Sequence, residues 1–281
     1  MPKTIRYLRW DEPLLPGVST FLLGGAGDER IDLSGTLVVV QTRQAGRRLR
    51  QELARAAGAL LPPRIELPES LLAASGARLP PEFLRKLWWI DVLRDAAPDA
   101  SRALFPGGRS PANLAQVLTW TRILLELQQD LGEAGLGFGD VARLAAGGHL
   151  AIPDSERARW VDLAALEEAY ESLVRDAGFV PQRAAYRENR EHPAVPQGIR
   201  RVVVAAVADA PPLFEEVLES LAAEPHLAVD VLVWGPDDAD AFHPWGRPSI
   251  RYWKEASIPV EPDRLAVARD PFHEARLVES R

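Results

Sequence analysis

Residues able to do chemistry are sparse in this chain, and the spacings that would organise them are missing. A phosphate-binding loop, Gly-x-x-x-x-Gly-Lys-Ser/Thr, cradles phosphates on backbone amides and neutralises them with its lysine. The only lysines are Lys3, Lys86 and Lys254, and they follow Pro2, Arg85 and Trp253 rather than glycine. The stretch where such a loop would fall reads Trp10-Asp11-Glu12-Pro13-Leu14-Leu15-Pro16-Gly17. Asp11 and Glu12 repel phosphate there, and the prolines lack amide donors. Gly24-Gly25-Ala26-Gly27 follows an apolar segment instead of preceding a helix. Five histidines without a His-x-x-x-His pair, and no cysteine, give a metal ion no clustered ligands. No Gly-x-Ser-x-Gly elbow exists for a hydrolase. Glu167-Glu168 and Glu215-Glu216 read as solvated helix faces rather than acid/base couples. The expectation is a chain with no catalytic residue, no metal site and no cofactor.

A binding surface is better supported. Thr42, Arg43, Arg47 and Arg48 follow the apolar run Thr36-Leu37-Val38-Val39-Val40. Arg43 and Arg47 are four apart and share a helix face, with Arg50 close by. The carboxyl end of a parallel strand is where open α/β sheets place ligands, so these four residues are the candidates for contact with DNA. The competing reading is a solvated basic helix face. Trp88-Trp89 offers a stacking surface for bases or, for at least one of the pair, core packing. Asp209 lies between a strand and a helix, and without a phosphate loop its expected job is to cap the helix starting near Pro212. The net charge of −7 argues against a domain devoted to gripping phosphates non-specifically.

Positioning these residues requires a sheet. Ile5 to Trp10 reads as a short strand, Val18 to Leu23 as one or two helical turns stopped by Gly24, Gly25 and Gly27, and Thr36 to Val40 as a strand buried on both faces. Gln44 to Gly58 has helical spacing, and Arg64 to Leu67 suits another short strand. Helical patterns follow: Pro81 to Ala96, a helix from Ser110-Pro111 to about Leu131, and Asp154 to Asp176, with Trp160, Leu163, Leu166, Tyr170 and Leu173 along one stripe and Gly178 closing it. The sheet pattern returns in Ile199 to Ala208, the helix Pro212 to Ala223, and the strand Val229 to Trp234. Ser249 to Trp253 and Leu265 to Ala268 suit two more strands, and Gly235 to Pro248 a surface loop. Strands alternating with helices predict an α/β fold with a parallel sheet, interrupted by a helical block.

The composition, 47% hydrophobic and 26% charged, is that of a soluble globular chain. A polar N-terminus and the lack of any membrane-length apolar run lead to the expectation of a cytoplasmic protein that does not engage a membrane.

In order along the chain, these pieces resemble a known family. Thr36 to Leu53, apolar residues running into Gln41-Thr42-Arg43 and an arginine-rich helix, is similar to the second strand and helix of domain 1A in superfamily I helicases. Leu61-Pro62-Pro63-Arg64-Ile65, Trp160 through Gly178-Phe179-Val180-Pro181, Val202 to Leu221, and Asp270-Pro271-Phe272-His273-Glu274-Ala275-Arg276 resemble successive pieces of the AddB subunit of the AddAB helicase-nuclease. The resemblance implies a sheet of P-loop-NTPase/helicase 1A type interrupted by a 1B-like helical insertion. It divides the chain into a discontinuous helicase-like domain (1–75 and 196–268), an insertion (76–195) and the start of a downstream domain (269–281), so that the chain stops inside a longer protein. It further implies a non-hydrolysing module of a DNA double-strand-break repair protein, a scaffold and guide for single-stranded DNA. Its partner would be an ATP-driven helicase-nuclease (AddA-like) subunit, and the nuclease centre would lie beyond residue 281. In related helicases the turn at Gln41-Thr42-Arg43 lies beside single-stranded DNA. The alternative is a protein-interaction domain with no nucleic-acid contact. An unrelated α/β enzyme is a third reading, which a deep pocket lined by perturbed titratable groups would favour.

Overall fold

The computed structural model describes residues 3–24, 31–73, 76–96, 102–105, 111, 113–193, 195–257, 268–272 and 276. In chain order the elements are β1 (Thr4–Leu8), α1 (Leu14–Leu23), β2 (Ile31–Asp32), β3 (Thr36–Val40), α2 (Arg43–Ala56), β4 (Leu60–Leu61), β5 (Arg64–Glu66), a 3-10 turn (Pro68–Leu71), α3 (Glu82–Asp95), α4 (Leu114–Glu133), α5 (Phe138–Ala146), α6 (Asp154–Asp176), α7 (Gln182–Glu191), β6 (Arg201–Ala205), α8 (Pro212–Ala222), β7 (Ala228–Trp234) and α9 (Ile250–Glu255). The fold is α/β. Five strands form a sheet in the order β1-β7-β6-β3-β5, every pair parallel, while β2 and β4 pair separately.

Alternation along the strands builds a core on each face of the sheet. Leu37 and Val39 of β3, Val202 and Val204 of β6, and Val229, Val231 and Val233 of β7 pack against Leu213, Phe214, Val217, Leu218 and Leu221 of α8. Their alternates, Val38, Val40, Val203, Ala205 and Leu232, meet Val18 and Leu22 of α1 and Leu49 and Leu53 of α2. Both faces are therefore covered, which is why β3 and β6 read as unbroken apolar runs. Burying each such side chain contributes about 1.5–3 kcal/mol. One charged pair lies under α1: Arg201 Nε reaches Asp230 Oδ2 at 2.7 Å, and its guanidinium stacks 4.8 Å from the Phe21 ring centroid.

The helices between β5 and β6 hold a core of their own, with Trp89, Leu93, Leu124, Phe138, Leu163, Leu166, Tyr170 and Val174. Trp89 stacks on Tyr170 at 4.6 Å, whereas Trp88 is half-buried edge-on to Phe179. Helix α6 carries Asp154 and Glu156 in its first turn and Arg175 in its last, each sign complementing the helix dipole. Helix α7 joins the two regions. Gln182 bonds Gln129 of α4 and Arg183 pairs with Glu171 of α6, while Tyr186 enters the core beneath α8 and Asn189 Nδ2 donates to the Leu71 carbonyl at 2.7 Å. No helix among the described residues is long and apolar enough to cross a membrane.

Several expectations require correction. The first helix begins at Leu14, not Val18. Helix α4 starts at Leu114, capped by the Asn113 side chain, which accepts from the Gln116 amide; Ser110 lies outside the described residues. The segment from Ser249 to Trp253 is the start of helix α9, because the Ser249 hydroxyl caps it and accepts from the Tyr252 amide. Glu167 is not solvated; it is buried among α4, α5 and α6. The loop after β7 packs inward in part, burying Ala241 and Trp245. Residues 265–267 of the expected strand Leu265 to Ala268, Gly25 and Gly27, and most of 269–281 lie outside the described residues.

Candidate functional site

The chain leaves β3 through α2 on one face to reach β5. It leaves the neighbouring β6 through α8 on the other face to reach β7. Such a reversal opens a crevice at the carboxyl ends of the two strands, the usual ligand position in open α/β sheets. Here Gln41 spans it. Its Nε2 donates to the Asp209 carbonyl at 2.9 Å, and the Asp209 amide donates back to Oε1 at 3.2 Å. Asp209 is thus held through its backbone. It does not cap α8, whose N-cap position is Pro211 with no side-chain bond. Ala206, directly after β6, has φ 51°. It is the one non-glycine residue at positive φ among the described residues, a conformation costing on the order of 1–2 kcal/mol.

Beside the crevice, α2 begins. Thr42 is its N-cap, the hydroxyl accepting from the Ala45 amide at 3.1 Å, so this side chain serves the helix end. Arg43, Arg47 and Arg50 line a cavity of 960 Å³ between α2 and β5, together with Gly46, Ile65, Glu66, Glu69 and Ser70. Spacings of four and three residues put the arginines on one helix face. Arg48, one residue beyond Arg47, does not line this cavity. Gly46 lets the helix press close to the sheet: a Cβ there would meet Ile65 Cγ2 at 3.1 Å.

Three arginines face two carboxylates, Glu66 and Glu69, across this groove. Among the described residues Arg43, Arg47 and Arg48 make no ion pair or hydrogen bond, and Arg50 reaches only the Ile65 carbonyl at 3.5 Å. Glu66, across the groove, is engaged with Arg64 at 2.9 Å. Arg43 occupies the first turn of α2, which holds no acidic residue. A cation there opposes the helix dipole by about 0.3–1 kcal/mol, so stability does not account for its position.

The loop after β1 has the opposite character. Arg9 closes on Asp11 and Glu12 at 2.5 and 3.4 Å, and Trp234 Nε1 donates to the carbonyls of Arg9 and Glu12. It presents carboxylates at the helix start where a phosphate would need amide donors.

A carboxylate perturbed by burial lies elsewhere. Glu167 accepts from the Phe138 amide at 2.7 Å and from Gln128 Nε2 at 3.3 Å. Burial raises its carboxyl above the usual glutamate range, against the opposing pull of Arg183, that amide and Gln128. Glu167 does not line the arginine groove. Neither a protein-family model nor a curated protein matches this sequence.

Of the residues singled out from the sequence, the structure gathers Arg43 and Arg47 in one groove, adds Arg50, and leaves Thr42 as the cap and Arg48 outside. Gln41, which the sequence names only in the turn with Thr42 and Arg43, spans the crevice to the Asp209 backbone. Its only sequence signal is its place immediately after the buried strand.

Proposed function

We propose that this chain is a non-hydrolysing, helicase-like α/β module that guides single-stranded DNA along the arginine face of α2. In this reading it also serves as scaffold for an ATP-driven helicase-nuclease subunit in double-strand-break repair. The observation that carries the proposal is the groove itself: three arginines on one helix face, running back along the sheet from the carboxyl end of β3, none of them ion-paired among the described residues. In this reading the phosphates of the strand supply counter-charge to the guanidinium groups. Residues 1–75 and 196–268 would form the helicase-like domain and 76–195 the 1B-like insertion. The Gln41–Asp209 bracket across the crevice and the carboxylates after β1 support a module without nucleotide chemistry.

The test is fluorescence anisotropy of a labelled single-stranded oligonucleotide, wild type beside Arg43→Ala/Arg47→Ala, with an ATP analogue titrated separately. Salt-sensitive binding that the double variant weakens, with a shallower salt dependence, is the expected result. A variant that keeps the wild-type affinity and salt dependence, or tight binding of the ATP analogue, overturns the reading. If the wild type does not bind, the protein-interaction alternative stands in its place. Phe83 and Leu87, four apart and 61% and 50% exposed on α3, favour that alternative.

A further inference from the structure

Strand β1 has β7 on one side and no strand on the other among the described residues. In a parallel ladder each residue turns its N–H and C=O to the same side, and successive residues alternate. The Gly235 amide donates to the Leu8 carbonyl at 3.1 Å, which fixes the phase: Thr4, Arg6 and Leu8 bond towards β7, and Ile5 and Tyr7 turn their backbone groups outward. Unpaired edge groups of this kind are a template for an incoming strand. A cavity of 1130 Å³ runs alongside, between β1 and Pro16, Gly17, Thr20 and Phe21 of α1. Thr4, Ile5 and Arg6 are exposed to it or beside it.

The side chains state what would fit. The Arg6 guanidinium stands 5.3 Å from the Phe21 ring centroid, and no carboxylate pairs with it among the described residues. Next to it, Leu8 is half-buried, 3.7 Å from where a Cβ on Gly17 would lie, an apolar and shallow floor. Asp11, Glu12 and Asp237 line the carboxyl end of the groove. We propose that the β1 edge accepts an extended segment of a partner protein as a sixth strand, with an acidic residue facing Arg6 between apolar neighbours. A nucleic-acid strand fits poorly, because a continuous polyanion would run onto Asp237 and onto Asp11 and Glu12, which already hold Arg9. A second copy fits poorly: antiparallel self-pairing that matches all five residues of β1 sets Arg6 against Arg6, and like charges directly opposite destabilise a strand pair.

The experiment uses fluorescein-labelled nine-residue peptides that alternate valine and threonine, with glutamate at the centre in one and lysine in the other. A third copies the glutamate peptide with alternate amides N-methylated on the edge that would face β1. Binding is followed by anisotropy, and the oligomeric state by analytical ultracentrifugation. The glutamate peptide is expected to bind in preference to the lysine peptide, and the methylated one not at all. Arg6→Glu, a surface substitution, is expected to weaken the glutamate peptide about fivefold and to reverse the preference, the scale of a cross-strand charge pair. Ile5→Pro removes the outward amide at Ile5 and leaves the bonds of Arg6 and Leu8 to β7, so it is expected to abolish binding while thermal unfolding stays cooperative. Equal binding of both charged peptides, indifference to N-methylation, or no binding by the wild type overturns the proposal. So does a wild-type dimer that Ile5→Pro dissolves, which would assign the edge to a second copy.

Discussion

Removing the groove arginines one at a time gives a numerical test of the DNA reading. Arg43 and Arg50 are seven residues apart, which at 1.5 Å per residue is about 10 Å of helix axis. That length, with three guanidinium groups that make no ion pair among the described residues, accommodates two to three phosphates of a single strand. Each neutralised phosphate contributes a slope of about −0.7 to the dependence of log affinity on log salt. The wild type should therefore show a slope of about −1.4 to −2.1, a loss of about 7- to 18-fold between 50 and 200 mM salt. Arg43→Ala/Arg47→Ala leaves one guanidinium, so the slope should fall to about −0.7 and the loss to about threefold. Arg48→Ala is the internal control, since Arg48 does not line the groove; its slope should match the wild type. The assay is anisotropy with one oligonucleotide at four or more salt concentrations for each protein. A slope that Arg48→Ala reduces as much as Arg43→Ala would refute the argument, because diffuse charge rather than one helix face would then be responsible.

Other perturbations test the fold around the groove. Thr42→Ala removes the cap of α2 and should destabilise by about 1 kcal/mol in urea unfolding; an unchanged midpoint would show that the Ala45 amide finds another acceptor. Gln41→Ala breaks both bonds to Asp209, with an expected loss of about 1 kcal/mol and faster amide exchange at Asp209. Ala206→Gly relieves the positive φ and should stabilise by about 0.5–1 kcal/mol after the entropy cost of glycine, and a lower melting temperature would contradict the strain. For Glu167 the folded-state pKa lies above the ordinary 4.5, so the folded chain binds this proton at higher pH than the unfolded chain. Its contribution to stability therefore declines as pH rises from 4.5 through the raised value, then levels off. Glu167→Gln should remove that component of the pH profile in urea titrations, and superimposable profiles would rule it out.

What the sequence discloses follows the range of the forces involved. The two-faced burial of β3 appears as an unbroken apolar run, and α6 coincides with its expected bounds because its stripe and Gly178 are local signals. The arginine face was visible for the same reason, since a helix turns spacing directly into direction. Ser249-Ile250-Arg251-Tyr252-Trp253 misleads because its residues favour strands. Helix α9 forms where Trp253 Nε1 donates to Ala241 and the Tyr252 hydroxyl to Asp238, contacts with a loop more than ten residues away. Glu167 reads as solvated until α4 and α5 bring it Gln128 and the Phe138 amide. Gln41 and Asp209 are 168 positions apart, and only the strand order β6-β3 makes them neighbours.

Helix α7 gives the molecule a mechanical connection. Its first turn is gripped by α4 and α6 through Gln182 and Arg183, and its last turn by the 3-10 turn and α8 through Asn189 and Arg190. The carbonyl that Asn189 holds belongs to Leu71, the neighbour of Ser70, which together with Glu69 forms one wall of the arginine groove. A load placed on the helical block is thus carried by a stiff rod, with no loop to absorb it, to that wall. A subunit seated on the helices would have leverage over the width of the groove without touching it.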